Sequence, residues 1–391
     1  MIDDSDIHGM IDAGEATRRL GVSFATLYSY VSRGLIHSEA QPGSSRTRLY
    51  SAADIERLIW QKTLARKPSS AAATALSWGL PVLETRISQI QNGMLTYRGR
   101  DILELADSHT LEDVAMLLWN APVNPFVAAD FDIADIPGWS ETAKLLIDDP
   151  VIDRSITLMS FVRRSVKESD DVFVSAARLV RAITATVVTS PPDIGKTLHE
   201  ALATCWNAPA AADIIRRVLV CCAEHELNTS SFSVRVAAST DVDLATCLLT
   251  GLTAYCGYEH SGVVTEAREL VRQAMAGEDL TRLITSRTRS TAPLAGFFHR
   301  LYPDGDPRAR EILTRLEIPA PVARLIETIG HITGLKPNIE LALVVVERVY
   351  KLPLGAAEAM FITGRSVGWM SHAMEQKLSG IRIRPRASAG R

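Results

Sequence analysis

The sequence predicts a mainly α protein in which a large helical domain follows a small N-terminal module. From about residue 79 to the C-terminus, apolar residues recur at the three- and four-residue spacing of helices that bury one face. One dipeptide near the start of this region, Asn92-Gly93, indicates a single short β-hairpin. Residues 12–65 read as short helical segments separated by Gly and Ser.

Composition excludes several classes of protein. The 391 residues are 47% hydrophobic and 22% charged, which is typical of globular chains and not of disordered or collagen-like ones. The net charge is −3, so any contact with nucleic acid has to come from a local patch and not from bulk positive charge.

The chain carries no sign of export or membrane insertion. Its N-terminus, MIDDSDIHGM, lacks the basic and apolar regions of a signal peptide, and no uncharged apolar run is long enough to span a membrane. The five cysteines are odd in number and form no CxxC pair, so we expect buried free thiols and no zinc site. These features favour a soluble cytoplasmic protein.

The domain boundaries follow from changes in composition. We expect an N-terminal module over residues 1–65 and a linker over 66–78, RKPSSAAATALSW, which is rich in Ser and Ala and has no apolar period. The helical domain then occupies 79–391, with a smaller domain inserted at roughly 195–300. At its start, Asn92-Gly93 joins two partly alternating segments, and Thr110-Leu-Glu-Asp113 has the pattern of a helix capping box.

The N-terminal module has the pattern of a helix-turn-helix. In EATRRLGVSFATLYSYVSRGLI, Gly21 breaks the first helix and Ser23 can cap the second, whose Leu27 and Val31 lie on one face. In the following SSRTRLYS, Arg46, Arg48 and Tyr50 stand at alternate positions, so a strand would place their side chains on one face. The segment GVSFATLYSYVSRGLI…SRTRLYSAADIERL resembles a winged helix-turn-helix of the mercury-resistance-regulator (MerR) or excisionase type.

That resemblance implies DNA binding through the second helix and the wing. The candidate contacts are Thr26, Ser29, Arg46, Arg48 and Tyr50. Ser29 departs from the family, since many members carry a basic residue there. Residues 12–67 hold nine Lys or Arg against five acids, so binding through phosphate neutralisation would need two modules acting together. The alternative is a module that only mediates oligomerisation.

Four short segments of the helical domain carry reactive side chains, followed by two arginines near the C-terminus. The candidates are His225, His260, His299, Arg308, Glu340, Arg365 and Arg384. Each alone has an ordinary structural explanation. Together they supply imidazole donors, a carboxylate base and three guanidinium groups, which bind carboxylates in a bidentate manner. Such a set suits proton removal beside a carbonyl, with a neutral His stabilising the enolate.

The same segments, in the same order, resemble citrate synthase from about Leu83 to the C-terminus. The matching segments are ISQIQNGMLTYRGRDILELA (87–106), HELNTSSFSVRVAAST (225–240), HSG (260–262), GFFHRLYPDGDPR (296–308), PNIE (337–340) and GRSVGWMSHAMEQKLSGIRIRP (364–385). The resemblance implies an all-helical fold with a large and a small domain, and an intimate homodimer.

The resemblance also implies a role for each candidate. His225 and His299 would bind oxaloacetate, with His299 polarising its ketone. Its carboxylates would be held by Arg308, Arg365 and Arg384, the last donated by the partner subunit. His260 would stabilise the enol of acetyl-CoA, and Glu340 would be the catalytic base. The expected co-substrate is acetyl-CoA, with no metal and no permanently bound cofactor.

Three positions depart from the family pattern. Glu340 stands where the family has Asp, and its extra methylene displaces the carboxylate by about 1 Å, enough to cost about a hundredfold in rate. The family HGGAN is HSGVV here, and Phe298 replaces a glycine of GFGH. The leading hypothesis is a citrate synthase, or a 2-methylcitrate-type synthase, of the tricarboxylic acid cycle class. The alternative is a transcriptional regulator that uses this domain as a metabolite sensor.

Overall fold

The computed structural model describes residues 10–40, 47–52, 54–55, 58, 83–130, 132–166, 169–288 and 294–386. The described chain forms two compact units. The first holds the residues up to Glu84 together with Arg386, and the second is Thr85–Pro385. The predicted linker over 66–78 lies outside the described residues. The inserted domain at roughly 195–300 stays a prediction.

The described part of the first unit includes two helices with defined bounds and a small antiparallel sheet. Its elements are β1 (Met10–Ile11), α1 (Ala13–Leu20), α2 (Phe24–Ser32), β2 (Ser38–Ala40) and β3 (Arg48–Ser51). The strand order is β1-β3-β2, with Met10 opposite Ser51 and Ser38 opposite Tyr50.

The turn between α1 and α2 forms as the sequence predicts. Gly21 ends α1 in the left-handed region at φ 62°, and the Ser23 hydroxyl accepts the backbone N–H of Thr26 at 3.3 Å to begin α2. Leu27 faces the core of the unit, where its side chain is fully buried. The predicted helix-turn-helix is therefore confirmed.

One candidate DNA contact in this unit needs correction. Tyr50 is only 1% exposed, because the β3 face that carries it packs into the apolar core beside Leu27 and Ile36. It therefore has almost no surface to offer a nucleic acid. Arg48 is exposed, and its guanidinium donates to the hydroxyl and the carbonyl of Ser38 at 3.0 and 2.8 Å. Arg46 lies outside the described residues.

The described part of the second unit begins with a three-stranded sheet, and its other regular elements are helices. Its strands are β4 (Ser88–Gln91), β5 (Met94–Tyr97) and β6 (Arg100–Asp101). Its helices are α3 (Ile102–Ser108), α4 (Leu111–Trp119), α5 (Trp139–Leu145), α6 (Val151–Ser165), α7 (Val172–Val188), α8 (Leu198–Cys205), α9 (Ala212–Cys222), α10 (Thr229–Ala238), α11 (Leu244–Tyr255), α12 (Val263–Met275), α13 (Leu280–Thr288), α14 (Pro307–Leu313), α15 (Ala320–Thr333), α16 (Ile339–Val349) and α17 (Ala356–Ser379). Short 3₁₀ turns lie at Ile133–Asp135 and Pro209–Ala211, and a π-helical turn lies at Tyr258–Gly262.

Local signals of the sequence form the predicted structures here. Asn92 and Gly93 both have positive φ, 52° and 71°, and form the two-residue turn between β4 and β5. Thr110 and Asp113 form a reciprocal capping box at the start of α4. The predicted hairpin and the mainly α class are confirmed.

Helix α17 is the centre of the second unit. Nearly all of its 24 residues are buried, and α7, α9, α10 and α11 pack against it. Gly364 and Gly368, one turn apart, face the C-terminal end of α9, where an added Cβ would overlap backbone atoms. The two glycines thus bring α17 into backbone contact with the segment that precedes His225.

Two further expectations concern the whole described chain. No helix among the described residues is long and apolar enough to cross a membrane. The cysteines are only partly as expected, because Cys221, Cys222 and Cys247 are buried free thiols whereas Cys205 and Cys256 are exposed at helix ends.

Candidate active site

Five of the candidate side chains lie close together in the second unit. His225 follows α9, His299 lies in the segment before α14, and Arg308 lies in the first turn of α14. Glu340 and Arg365 lie on α16 and α17. The rings of His225 and His299 are 4.9 Å apart between centroids, in an edge-to-face arrangement. The charges of Arg308 and Arg365 both act on Glu340 and on His225. Segments far apart in sequence therefore form one cluster.

Both histidines are neutral at pH 7. Burial, followed by the charge of Arg308, lowers the pKa of His225 well below its usual value and that of His299 to about 4. The Nδ1 atom of His299 accepts the backbone N–H of Leu301 at 3.2 Å. The proton of its neutral ring therefore lies on Nε2, which is free to donate to a ligand oxygen.

Tyr302 joins the two histidines to the nearest arginine. Its hydroxyl lies 2.9 Å from Nε2 of His225, and its ring centroid is 4.9 Å from that of His299. The guanidinium carbon of Arg308 is 5.5 Å from the centre of the Tyr302 ring. Tyr302 is itself 2% exposed, so it fixes these groups from within the protein.

Arg308 is held by an acid of its own segment. Its Nε and Nη2 donate to the two carboxylate oxygens of Asp306 at 3.0 and 2.8 Å, in a buried bidentate pair. Asp306 also caps the first turn of α14 by accepting the N–H of Arg308, and it accepts the N–H of Ile339 at 3.1 Å. One carboxylate thus fixes the guanidinium and joins the N-terminal ends of α14 and α16.

Arg365 forms no such bidentate pair among the described residues. Its side chain is 1% exposed, and its Nε donates to the carbonyl of Cys222 at 2.9 Å. Its Nη1 atom is buried without a hydrogen-bond partner, and Arg365 forms no ion pair within the described part of the chain. The carboxylates of Glu340 and Glu224 lie within electrostatic range of Arg365 but form no direct ion pair with it, so the buried guanidinium keeps a hydrogen-bonding atom that can bind an anion from solution.

Glu340 lies in the first turn of α16, beside the two arginines. Its Oε2 atom is buried and has no hydrogen-bond partner among the described residues. Burial raises the pKa of Glu340, and the opposing charge of Arg308 limits that rise. A buried carboxyl with a raised pKa and a free oxygen is suited to accept a proton from carbon.

The loop before His299 is tied directly to the loop before Glu340. Phe298 has φ 71°, a left-handed conformation that is unfavourable for an aromatic residue. Its N–H donates to the carbonyl of Lys336 at 2.9 Å, and its carbonyl accepts Nδ2 of Asn338 at 3.1 Å. These bonds maintain the strained backbone, and the Phe298 side chain remains 43% exposed.

A further set of buried side chains fixes the segment that carries His225. Glu224, which precedes His225, accepts from Nε2 of His372 at 3.1 Å, and both side chains are fully buried. Burial raises the pKa of Glu224, but the interaction and hydrogen bond with His372 outweigh burial and keep that pKa below its usual value. The hydroxyl of Tyr97, on the hairpin, bonds to both the carbonyl and the N–H of Glu224 at 3.0 Å. The hairpin therefore fixes the segment that carries His225.

Sequence analysis missed several of these supporting residues. Tyr302, Asp306 and His372 lie inside the motifs quoted above, and Glu224 immediately precedes the motif that begins at His225. Position in or next to a motif was the available signal, but their roles depend on contacts between distant segments.

Two further candidates, His260 and Arg384, stay predictions. The backbone of His260 lies in the π-helical turn Tyr258–Gly262, and its side chain lies outside the described part. Arg384 lies in the exposed segment that follows α17, and no described contact joins it to the other site residues. On the N-terminal unit, Thr26 and Ser29 are partly exposed on α2.

Comparison with known proteins assigns both parts of the chain. The family model "Citrate synthase, C-terminal domain" matches residues 75–125 and 163–386, and the model "MerR HTH family regulatory protein" matches residues 12–65.

Relatives and solved structures agree with the first of these models. The protein named "Putative citrate synthase 2" of Mycobacterium tuberculosis is 29% identical over 330 residues, covering 75% of this chain and 86% of that one. A 2-methylcitrate synthase of M. tuberculosis is 25% identical over 352 residues, covering 78% and 88%. The crystal structure of citrate synthase from Thermotoga maritima has a TM-score of 0.66 at 22% identity and covers 80% of this chain and 94% of its own. The two resemblances predicted from sequence are confirmed, and the chain belongs to the citrate synthase family.

Proposed function

We propose that this protein condenses acetyl-CoA with oxaloacetate to give citrate and CoA. The observation that carries the proposal is the buried guanidinium of Arg365, which has an unpartnered Nη1 and forms no direct ion pair in the described chain. Near it lie a second buried guanidinium, two neutral imidazoles and a carboxylate with a free oxygen. Two fixed positive charges suit a small dicarboxylate, and the remaining groups suit carbon–carbon bond formation.

The chemistry follows from the protonation states. Glu340 removes a proton from the methyl group of acetyl-CoA, and His260 stabilises the resulting enol. The enol carbon attacks the ketone carbon of oxaloacetate, while Nε2–H of His299 donates to the ketone oxygen on which negative charge develops. His225, Arg308 and Arg365 bind oxaloacetate, and Arg384 of a second subunit completes the set. Water then hydrolyses the thioester of citryl-CoA, which releases citrate and CoA.

The raised pKa of Glu340 helps the first of these steps. A carboxylate with an ordinary pKa is a weak base for a C–H bond, and burial makes its conjugate acid weaker and the base stronger. No metal and no permanently bound cofactor is needed in this scheme, since histidines and arginines supply the electrostatic stabilisation. The two substrates bind and leave in each turnover.

The acyl preference is a further part of the proposal. The exposed Phe298 stands where the family pattern has glycine, beside the imidazole that faces the ketone. Its volume favours the small acetyl group over longer acyl chains. Because one relative is named 2-methylcitrate synthase, propionyl-CoA is the acyl-CoA whose turnover should be compared with that of acetyl-CoA.

We also propose a cytoplasmic homodimer that works in the tricarboxylic acid cycle and carries two N-terminal DNA-binding modules. The match to the MerR family model supports the modules, and the exposed position of Arg384 supports its donation to a partner subunit. A mobility shift on the upstream DNA of its own gene, repeated across salt concentrations, tests the first point. The comparisons favour an enzyme over a regulator that uses this domain only as a sensor.

The decisive experiment is a thiol-release assay with oxaloacetate and acetyl-CoA. The wild-type protein is expected to release CoA only when both substrates are present. Glu340→Gln keeps the shape of the side chain and removes the base, so it should abolish turnover while calorimetry still detects oxaloacetate binding. Absence of thiol release with every short acyl-CoA refutes the proposed function. Full turnover by Glu340→Gln refutes the assignment of the base.

A further inference from the structure

The end of α17 holds the C-terminal segment in a defined direction. Gln376, which is 2% exposed, donates from Nε2 to the carbonyl of Ile381 at 2.6 Å and to the hydroxyl of Ser379 at 3.1 Å. The same hydroxyl accepts the N–H of Ile381 at 3.2 Å. Gly380 makes the turn in the left-handed region at φ 63°. The chain therefore leaves α17 through a turn that is closed by side chains.

Gln376 is itself fixed from the opposite side. Its Oε1 accepts Nε of Arg235, on α10, at 2.7 Å, and Arg235 is 4% exposed. Arg235 also pairs with Glu375, whose other oxygen accepts the N–H of Arg86 at 2.8 Å. The amide oxygen of Gln376 accepts from Arg235, and its amide nitrogen donates to Ser379 and Ile381. Exchanging the oxygen and the nitrogen by rotation would break these hydrogen bonds, so the orientation of the amide is fixed.

The segment that this turn directs carries Arg384. Arg384 is the third residue after Ile381, a span of about 10 Å in extended chain. From Ile381 to Arg386 the segment is exposed apart from a partly exposed Ile383, and no described helix or strand includes it. A change in the direction of the turn would therefore displace the Arg384 guanidinium by an ångström or more, and a displacement of that size can cost about a hundredfold in rate.

We propose that Gln376, oriented by Arg235, is a positioning residue that directs the C-terminal segment so that Arg384 reaches the oxaloacetate site. The inference rests on the proposed function, because it takes the role of Arg384 from that proposal. It adds the residues on which the placement of Arg384 depends.

The test is a double-mutant cycle between Gln376→Glu and Arg384→Ala. Glutamate keeps an oxygen for Arg235 but cannot donate to the Ile381 carbonyl. We expect Gln376→Glu to raise the KM for oxaloacetate about tenfold with a smaller change in kcat, and to have no further effect when Arg384 is already alanine. Equal effects in both backgrounds overturn the proposal, because Gln376 would then not act through Arg384.

A second variant and a control guard against a general loss of structure. Ser379→Ala removes the other side chain of the turn from an exposed position and should reproduce the rise in KM with an unchanged melting temperature. Lys377→Met, at a neighbouring position that pairs with Asp241, should leave KM unchanged. A normal KM for Ser379→Ala, or a raised one for Lys377→Met, counts against the proposal.

One readout does not depend on turnover. Trypsin cleavage at the Arg382–Ile383 bond, followed by mass spectrometry of the full-length protein, should be several times faster in Gln376→Glu than in wild type. Unchanged cleavage overturns the role of Gln376 even if the wild-type protein proves inactive. Inactive wild type with faster cleavage in the variant instead refutes the proposed function and leaves the turn assignment supported.

Discussion

Replacing Gly364 with alanine tests how closely α17 must approach α9. An ideal Cβ at this position would lie 2.7 Å from the carbonyl oxygen of Leu219 and 3.0 Å from the Cβ of Cys222. Ordinary contacts begin at 3.4 Å, so the backbone of α9 would have to retreat by about 0.7 Å. Overpacking of this kind costs about 1–3 kcal/mol, since the oxygen belongs to the backbone and cannot rotate away.

The chain provides a matched control at Gly330 in α15. An added Cβ there meets nothing closer than the Leu335 carbonyl oxygen, at 3.8 Å. Both substitutions gain about 1 kcal/mol of helix propensity. Gly330→Ala should therefore stabilise the protein by about that amount, whereas Gly364→Ala should be about 1–3 kcal/mol less stable than Gly330→Ala.

The assay is urea unfolding of the two variants and the wild type, with oxaloacetate binding measured in parallel. Because Cys222 accepts the hydrogen bond of Arg365, its displacement in Gly364→Ala should also weaken oxaloacetate binding. If Gly364→Ala is as stable as Gly330→Ala and binds oxaloacetate with normal affinity, the close approach of α17 to α9 is not required for the geometry of the site.

Three further predictions concern the site itself. Tyr302→Phe removes the 2.9 Å contact with His225 and should lower kcat/KM by about three- to tenfold with little change in melting temperature; an unchanged kcat/KM would count against that contact. Phe298→Gly relieves the positive φ and opens the site, so it should raise the urea midpoint and the ratio of propionyl-CoA to acetyl-CoA turnover; a fall in both would contradict this reasoning. In the folded protein the pKa of Glu340 lies above its ordinary value of 4.5. The contribution of Glu340 to the free energy of unfolding is therefore complete below pH 4.5 and is lost as the pH rises through the pKa of the folded state. Glu340→Gln should therefore be more stable than wild type at pH 7, and the difference should shrink toward pH 4.5; a pH-independent difference in urea midpoint would show that ionisation is not the cause.

The sequence alone determined features that depend on neighbouring residues. The turn at Asn92-Gly93 and the capping box at Thr110 need only the backbone preferences and hydrogen bonds of adjacent residues, so both could be predicted. The order of motifs in the second unit identified the family and the candidate residues His225, His299 and Arg365. Tyr50 was misjudged because alternation places Arg48 and Tyr50 on one strand face but does not say how far along that face the core extends, and the core covers Tyr50 while Arg48 stays exposed.

Tertiary structure alone decided the electrostatic state of the site. Arg308 pairs with Asp306, which lies two residues before it in the sequence, but only the fold buries Arg365 on α17 without a direct ion pair among the described residues. The neutral state of His299 and the raised pKa of Glu340 likewise come from burial among segments distant in sequence. Charge and solvation depend on distances in three dimensions, and spacing along the chain does not contain those distances.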